Sequence, residues 1–318
     1  MPRFRVTRQR VAEYALVAAT LVEAAVFAAV APGFLSVANL LNIAMSVAIT
    51  GILAVGMTAV IVSGGIDLSV GSVVALTGVA GALAASHGIP AVLVVLIALG
   101  IGLATGAVSG ALVAWARVPA FVATLAMLTA ARGLAFIVSD GRSIGGMPPW
   151  FGVLGRSAVL GVPGPVTLMA AVMLLGALVL TQTAFGRHVY AVGGNPVATW
   201  LAGIDIRRVT WMIYALNGAL AGLAGLALAS RLGAGVPNAG NQYELDVIAA
   251  VVVGGTSLSG GRGTIAGTLW GTMFIGVLTN GLNLADVDPY VQKIALGVVI
   301  VVAVVADQVS RRWGEATT

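Results

Sequence analysis

Cysteine is absent from all 318 residues, which excludes disulfides, thiolate metal sites and a thiol nucleophile. Histidine is nearly absent too: His87 and His188 stand 101 positions apart, so no metal centre is expected and a zinc enzyme is excluded. Charge is scarce, at 8% of residues against about 25% in soluble proteins. The one lysine, Lys293, follows Gln292, so the chain has no Gly-Lys-Ser/Thr phosphate cradle and is not expected to hydrolyse ATP by itself. What fills the chain is apolar: 59% hydrophobic residues and 43 glycines, together about 70%, more than one core of this length can hide from water. The excess calls for lipid as a second apolar solvent. The net charge of +5 comes from arginines scattered between apolar runs, without the basic stripe and interleaved aromatics of a nucleic-acid binder.

Ten apolar runs predict ten membrane helices in an all-α integral membrane protein, at about 11–31, 38–63, 70–86, 89–115, 119–138, 165–183, 209–230, 243–254, 264–283 and 289–306. The runs at 70–86 and 243–254 are shorter than the roughly 20 residues of a straight crossing, as expected of half-helices that stop inside the bilayer. The organisation that follows is a basic cytoplasmic N-terminus (1–10), one polytopic transmembrane unit (11–308) and a cytoplasmic tail (309–318). Starting inside, the alternation places Arg117, the 184–208 loop and Arg311 and Arg312 in the cytoplasm and the 139–164 loop outside. Ten of the sixteen basic residues then lie inside, as the positive-inside rule requires.

Two glycine ladders, Gly102-Gly106-Gly110 and Gly263-Gly267-Gly271, have the four-residue spacing that lets helix backbones touch. Gly64-Gly65-Ile66-Asp67-Leu68-Ser69-Val70-Gly71 matches Gly254-Gly255-Thr256-Ser257-Leu258-Ser259-Gly260-Gly261 at five of eight positions, 190 residues apart. Gly-rich breaks recurring in two parts of a membrane chain point to a transport path, because non-helical backbone at that depth must line a cavity or be buried in protein. Asp67 can N-cap a helix beginning near Leu68, for about 1 kcal/mol, or form part of a gate, and the two roles are compatible. Gly260-Gly261-Arg262-Gly263 imitates a dinucleotide fingerprint but lacks the acidic residue about 20 positions on; position 283 is Asn. Arg132, Glu244, Asp246 and Lys293 lie in or beside apolar segments, where they face a cavity or partner, unless Glu244 and Asp246 sit at the outer interface and Arg132 snorkels.

In the 185–204 segment, Asn195 suits an N-cap, Pro196 the first helical position and Gly203 a C-terminal stop. Val197, Trp200, Leu201 and Ile204 follow i, i+3, i+4, i+7 and are expected to share one apolar face. Such a face on a short cytoplasmic helix calls for a partner groove, for the underside of the bundle or for the lipid interface.

The strings GGIDLSVGS (64–72), RVPAFVATL (117–125), FGRHVYAVGGNPVATWLAGI (185–204) and YELDVIAAVVVGGTSLSGGRGTIAGT (243–268) resemble the membrane permease subunit of ribose-type ABC importers, over about residues 38–307. The resemblance implies a multi-pass protein of the bacterial inner membrane that pairs with a second permease copy or paralogue. It implies a monosaccharide or related polyol delivered by a periplasmic sugar-binding protein, and a separate cytoplasmic ATPase that holds ATP and Mg. It places the pathway or gate at Gly64, Gly65, Asp67, Ser69, Gly254, Gly255, Thr256 and Ser257, and ATPase coupling at Asn195, Val197, Trp200, Leu201, Gly203 and Ile204. Pro196 stands where many relatives have an acidic residue and Trp200 replaces a commonly basic one, a departure that bears on charge pairing. Arg142 and Arg156 in the outer loop offer cations to the binding protein. The alternative is an ion-coupled transporter of a small polar solute, working through Asp67 or Glu244.

Overall fold

The structure, a computed structural model, describes residues 3–159 and 161–315. Met1, Pro2, Leu160, 316–318 and the side chains of Arg3 to Arg10, Arg311 and Arg312 lie outside the described residues, and with them the ends of the expected basic N-terminus and tail.

Among the described residues thirteen α-helices cover about three-quarters of the chain, and each of the ten apolar runs carries one. They are α1 (Arg3–Val30), α2 (Val37–Val62), α3 (Val70–Ser86), α4 (Ala91–Ala114), α5 (Ala120–Val138), α6 (Val153–Arg156), α7 (Gly164–Gln182), α8 (Ala184–Gly194), α9 (Pro196–Leu201), α10 (Ile206–Leu232), α11 (Tyr243–Val253), α12 (Ile265–Leu284) and α13 (Pro289–Glu315). Among the described residues six are long and apolar enough to cross a membrane: α2, α4, α5, α7, α10 and α12. One departure from an all-helical chain lies in the 139–164 loop, where β1 (Ala158–Val159) pairs antiparallel with β2 (Val162–Pro163).

Polar residues mark the helix ends as local chemistry requires. The Ser36 side chain accepts from the Asn39 amide at the start of α2, and the Asp205 carboxylate accepts from the Arg208 amide at 3.1 Å at the start of α10. Gly233, at φ +68°, closes α10 in the left-handed conformation. α2 and α10 are sheathed by their neighbours, whereas α4, α5 and α7 turn large side chains such as Leu103, Ile137, Leu174 and Leu175 outward. An outer surface of this kind fits lipid and not water.

The first glycine ladder is a backbone-to-backbone seam between α4 and α10. A Cβ at Gly102 would fall 2.2 Å from the Gly218 carbonyl oxygen, and one at Gly106 would fall 2.2 Å from that of Tyr214. Trp211 Nε1 donates to the Ala107 carbonyl at 3.1 Å along the same seam. In the second ladder Gly267 and Gly271 lay α12 on α11, with added Cβ atoms 2.1 Å from Gly254 O and 1.9 Å from Ala250 O. Gly263 precedes α12 and belongs to a loop.

Gly106→Ala is expected to lower the thermal unfolding midpoint of the detergent-solubilised protein, by overpacking worth about 1–3 kcal/mol. Gly100→Ala, on the same helix with nothing within 4 Å of its added methyl, should be neutral or gain up to about 1 kcal/mol from helix propensity. Equal midpoints for the two variants would refute the close seam.

Candidate functional site: two helix breaks beside a short amphipathic helix

α2 ends in a Schellman turn: the Gly64 amide donates to Ile61 O and the Gly65 amide to Val60 O, both at 2.9 Å, with Gly64 at φ +85°. The chain then runs non-helically through Gly65 to Ser69. α3 begins at Val70, so Asp67 is not the N-cap that a helix start near Leu68 would make it. Asp67 instead makes an Asx-type turn, Oδ1 accepting from the Ser69 amide at 2.8 Å and from Ser69 Oγ at 2.6 Å. Its Oδ2 accepts from Asn217 Nδ2 of α10 at 2.8 Å. Asp67, Ser69 and Asn217 are all sealed from the surface. The carboxylate is thus held by three donors where its desolvation would otherwise be costly. Above it, Tyr214 Oη donates to Ile66 O at 3.2 Å, and Gly65 lacks the Cβ that would collide with that hydroxyl at 2.4 Å. The sequence reading missed Asn217 and Tyr214; the signal was present, since Asn217 is the one amide side chain inside the apolar run 209–230.

α11 ends in the same turn. The Gly255 amide donates to Val252 O and the Thr256 amide to Val251 O, with Gly255 at φ +84°. The two breaks are therefore equivalent at Gly64 and Gly255, 191 residues apart, which corrects the 190-residue register of the sequence match. Their following helices start at Val70 and Ile265, 195 apart, so the second loop is four residues longer. Those extra residues cover α8: Gly260 and Gly261, at φ +80° and +75°, press on Gly193 and Gly194. The Gly261 amide donates to Val62 O at 2.7 Å, and Tyr190 Oη of α8 donates to Gly263 O at 2.7 Å. Burial raises the pKa of the Tyr190 phenol, which keeps its proton on this bond. Thr58 Oγ1 and Thr268 Oγ1 meet at 2.7 Å between α2 and α12. The structure thus brings the 63–69 and 254–264 loops to one end of the bundle, with Thr256 and Ser257 buried and Gly64 and Gly255 exposed. Of the fingerprint-like glycines, Gly260 and Gly261 press on backbone and Gly263 on the side chains of Thr256 and Val62.

α9 follows at that same end. Asn195 Oδ1 accepts from the Ala198 amide at 2.9 Å, and Pro196 takes the first helical position. Gly203, at φ +80°, ends the helix, with Ile204 N donating back to Thr199 O. Val197, Trp200 and Leu201 stand 68%, 67% and 72% exposed. Ile204 does not join them: the left-handed turn at Gly203 sends it back against the core, so the apolar face has three members and not four.

At the opposite end, the 139–164 loop is tied to α10 and to the segment after it. Ile144 and Gly235 exchange backbone hydrogen bonds of 2.9 Å, the Gly155 amide donates to Ser230 Oγ at 2.8 Å, and Ser230 Oγ donates to Phe151 O. Arg142 is exposed, while Arg156 donates through Nε to Ser230 O at 3.2 Å and borders a cleft of about 530 Å³ lined also by Met147, Phe151 and Gly233. The two arginines are not brought into one cluster by any described contact.

Between the ends, α3 and α11 start against each other: a Cβ on Gly71 would fall 2.3 Å from Gly240 O and 2.4 Å from Glu244 Oε2. The far part of α3 lies by Gly235, whose added Cβ would meet Ala82 and Val79. α3 and α11 thus both begin between the two ends of the bundle. Glu244 is half-buried, with its Oε2 sealed from the surface. Arg132 does not snorkel; its Nη1 donates to Pro237 O at 2.9 Å and Ala239 O at 2.8 Å. Among the described residues no group of three His, Cys, Asp or Glu could hold a metal.

A family model described as branched-chain amino acid transport system / permease component matches residues 39–304. The ribose import permease protein RbsC of Haemophilus influenzae is 46% identical over 293 residues, 91% of each chain. Its namesake in Escherichia coli K12 is 45% identical over 296 residues, again 91% of each. The xylose transport system permease protein XylH of Escherichia coli K12 is 37% identical over 341 residues, 88% of this chain and 87% of that one. No solved structure matches the chain.

The hydrogen bonds of Asp67 predict how it tolerates change. Asp67→Asn should be mild, because the Asn217 amide can turn its partnerless Oδ1 toward the new donor. Asp67→Leu strands the donors of Ser69 and Asn217, at about 1–3 kcal/mol for each buried group left unpaired. Thermal unfolding in detergent checks the order; if Asn is as damaging as Leu, the charge itself is what the site requires.

Proposed function

This chain belongs to the branched-chain amino acid transport system / permease component family; it is the permease subunit of an ABC sugar importer, and we propose how its two ends divide the work. The substrate class is a monosaccharide of the ribose or xylose kind, following the relatives that cover nine-tenths of the chain, or a related polyol. The protein resides in the bacterial cytoplasmic membrane with both termini inside. The 139–164 end, with Arg142 and Arg156, receives a periplasmic sugar-binding protein, and the α8–α9 end meets a cytoplasmic ATPase that binds ATP and Mg. The chain itself binds no cofactor.

The observation that carries this reading is the exposed Val197, Trp200 and Leu201 face on a helix capped at both ends. Burying such a face in a groove is worth about 25 cal/mol per Å² of apolar area, less the cost of association. α8 connects that face to both breaks, since a Cβ at Gly193 would fall 1.8 Å from Val62 O and 2.7 Å from Gly261 N. A stroke on α9 thus has a rigid route to the ends of α2 and α11, and the 64–69 and 254–257 residues serve as the gate. Exposed non-helical backbone at Asn241 and Gln242, between the ends of the bundle, does not suit lipid; it suits a water-filled path shared with a second permease copy or paralogue. The ion-coupled alternative has less support, because Asp67 is already engaged by three donors.

Trp200→Glu with Leu201→Glu should abolish co-purification of the ATPase, or leave ATP hydrolysis without sugar uptake, while membrane insertion is unchanged. Survival of both co-purification and uptake would move the coupling assignment elsewhere. For orientation, single cysteines suit a chain that has none. Val197→Cys in intact cells should resist an impermeant thiol reagent and Ser143→Cys should react; the reverse pattern would invert the proposed topology.

A further inference from the structure

An uncompensated charge within an apolar membrane segment is costly, so a charged pair there calls for an explanation. Arg132 lies in the 19-residue α5, and both of its hydrogen bonds, to Pro237 O and Ala239 O, use Nη1. Nε and Nη2 make no hydrogen bond among the described residues, and neither is among the atoms sealed from the surface. Glu244, in the first turn of α11, stands within electrostatic reach of Arg132. Its Oε2 is buried without a donor beside Gly71, where α3 begins. Asn241 and Gln242 are exposed at the same elbow, which Gln242 turns at φ +71°.

Arg132, bonded to the Pro237 and Ala239 carbonyls, and Glu244, beside Gly71 at the start of α3, therefore flank one elbow on which Asn241 and Gln242 are exposed. The Arg132 guanidinium faces the Glu244 carboxylate, and Asp246, two positions on in α11, adds a second carboxylate beside Glu244. A guanidinium fork donates to adjacent hydroxyl oxygens, and carboxylate and amide oxygens accept hydroxyl hydrogens. That combination is complementary to a neutral solute bearing neighbouring hydroxyls. Resting on the permease reading above, we propose that Arg132 and Glu244, flanked by Asn241 and Gln242, form a hydroxyl-binding station for the sugar within the translocation path.

The test uses the complete importer, with its ATPase and binding protein, in liposomes. D-ribose and D-xylose uptake and ATP hydrolysis are measured together, and one binding protein in every arm cancels its own preference. Arg132→Met and Glu244→Gln are expected to lower ribose uptake about tenfold, the effect of one lost charged hydrogen bond. ATP turnover should hold within about twofold and the ribose-to-xylose ratio should shift several-fold, as expected when a site loses a hydroxyl partner. Arg132→Lys can still bridge the Pro237 and Ala239 carbonyls through its ammonium but lacks the fork, so its ratio should shift as well. Full recovery of uptake and ratio by Arg132→Lys would make Arg132 a backbone clamp and overturn the station. An unchanged ratio in all three variants, or joint loss of uptake and ATP turnover, would overturn it too. A wild-type importer that takes up neither sugar would instead fail the permease reading itself.

Discussion

Backbone that leaves the helical state inside an apolar solvent must find its hydrogen bonds within the protein, and the placement of side chains in this molecule follows from that demand. The first break is served by Asp67, which holds Ser69, and by Tyr214, which donates to Ile66 O. The elbow before α11 is served by Arg132. The polar residues that look misplaced in an apolar sequence are mostly the ones that make these breaks possible.

Close helix contact is the other half of the design. α4 meets α10, and α12 meets α11, through glycines that bring carbonyl oxygens to within reach of the neighbouring backbone. Lipid offers no hydrophobic drive for helices to associate, so packing and a few interhelical hydrogen bonds such as Thr58 to Thr268 must hold the bundle. The same rigidity suits an element that relays movement: α8 touches the two breaks through backbone, with little side-chain slack to absorb a displacement.

The helices were legible because a twenty-residue apolar run has few alternatives. The caps of α9 were legible for local reasons, since Asn195, Pro196 and Gly203 act on their own neighbours. What was not legible depended on distance along the chain. The partner of Asp67 lies 150 residues away at Asn217, and that of Arg132 about 105 residues away at Pro237. Ile204 was misassigned because helical periodicity continues on paper past a glycine that reverses the chain. The echo at 64 and 254 was read one residue out of register, because matching letters dominate an alignment whereas hydrogen bonding fixes the true equivalence at Gly64 and Gly255.

Backbone-to-backbone contact also limits how such a protein can change. A side-chain core drifts by exchange, one residue shrinking as its neighbour grows. At Gly106 or Gly193 there is nothing smaller to retreat to, and the facing atom is a carbonyl oxygen that no substitution removes. Any replacement adds atoms, and relief requires moving a whole helix. The spacing of α4 to α10 and of α8 to α2 is therefore locked against gradual mutation, while outward-facing residues such as Leu103 and Val108 of α4 remain free to vary.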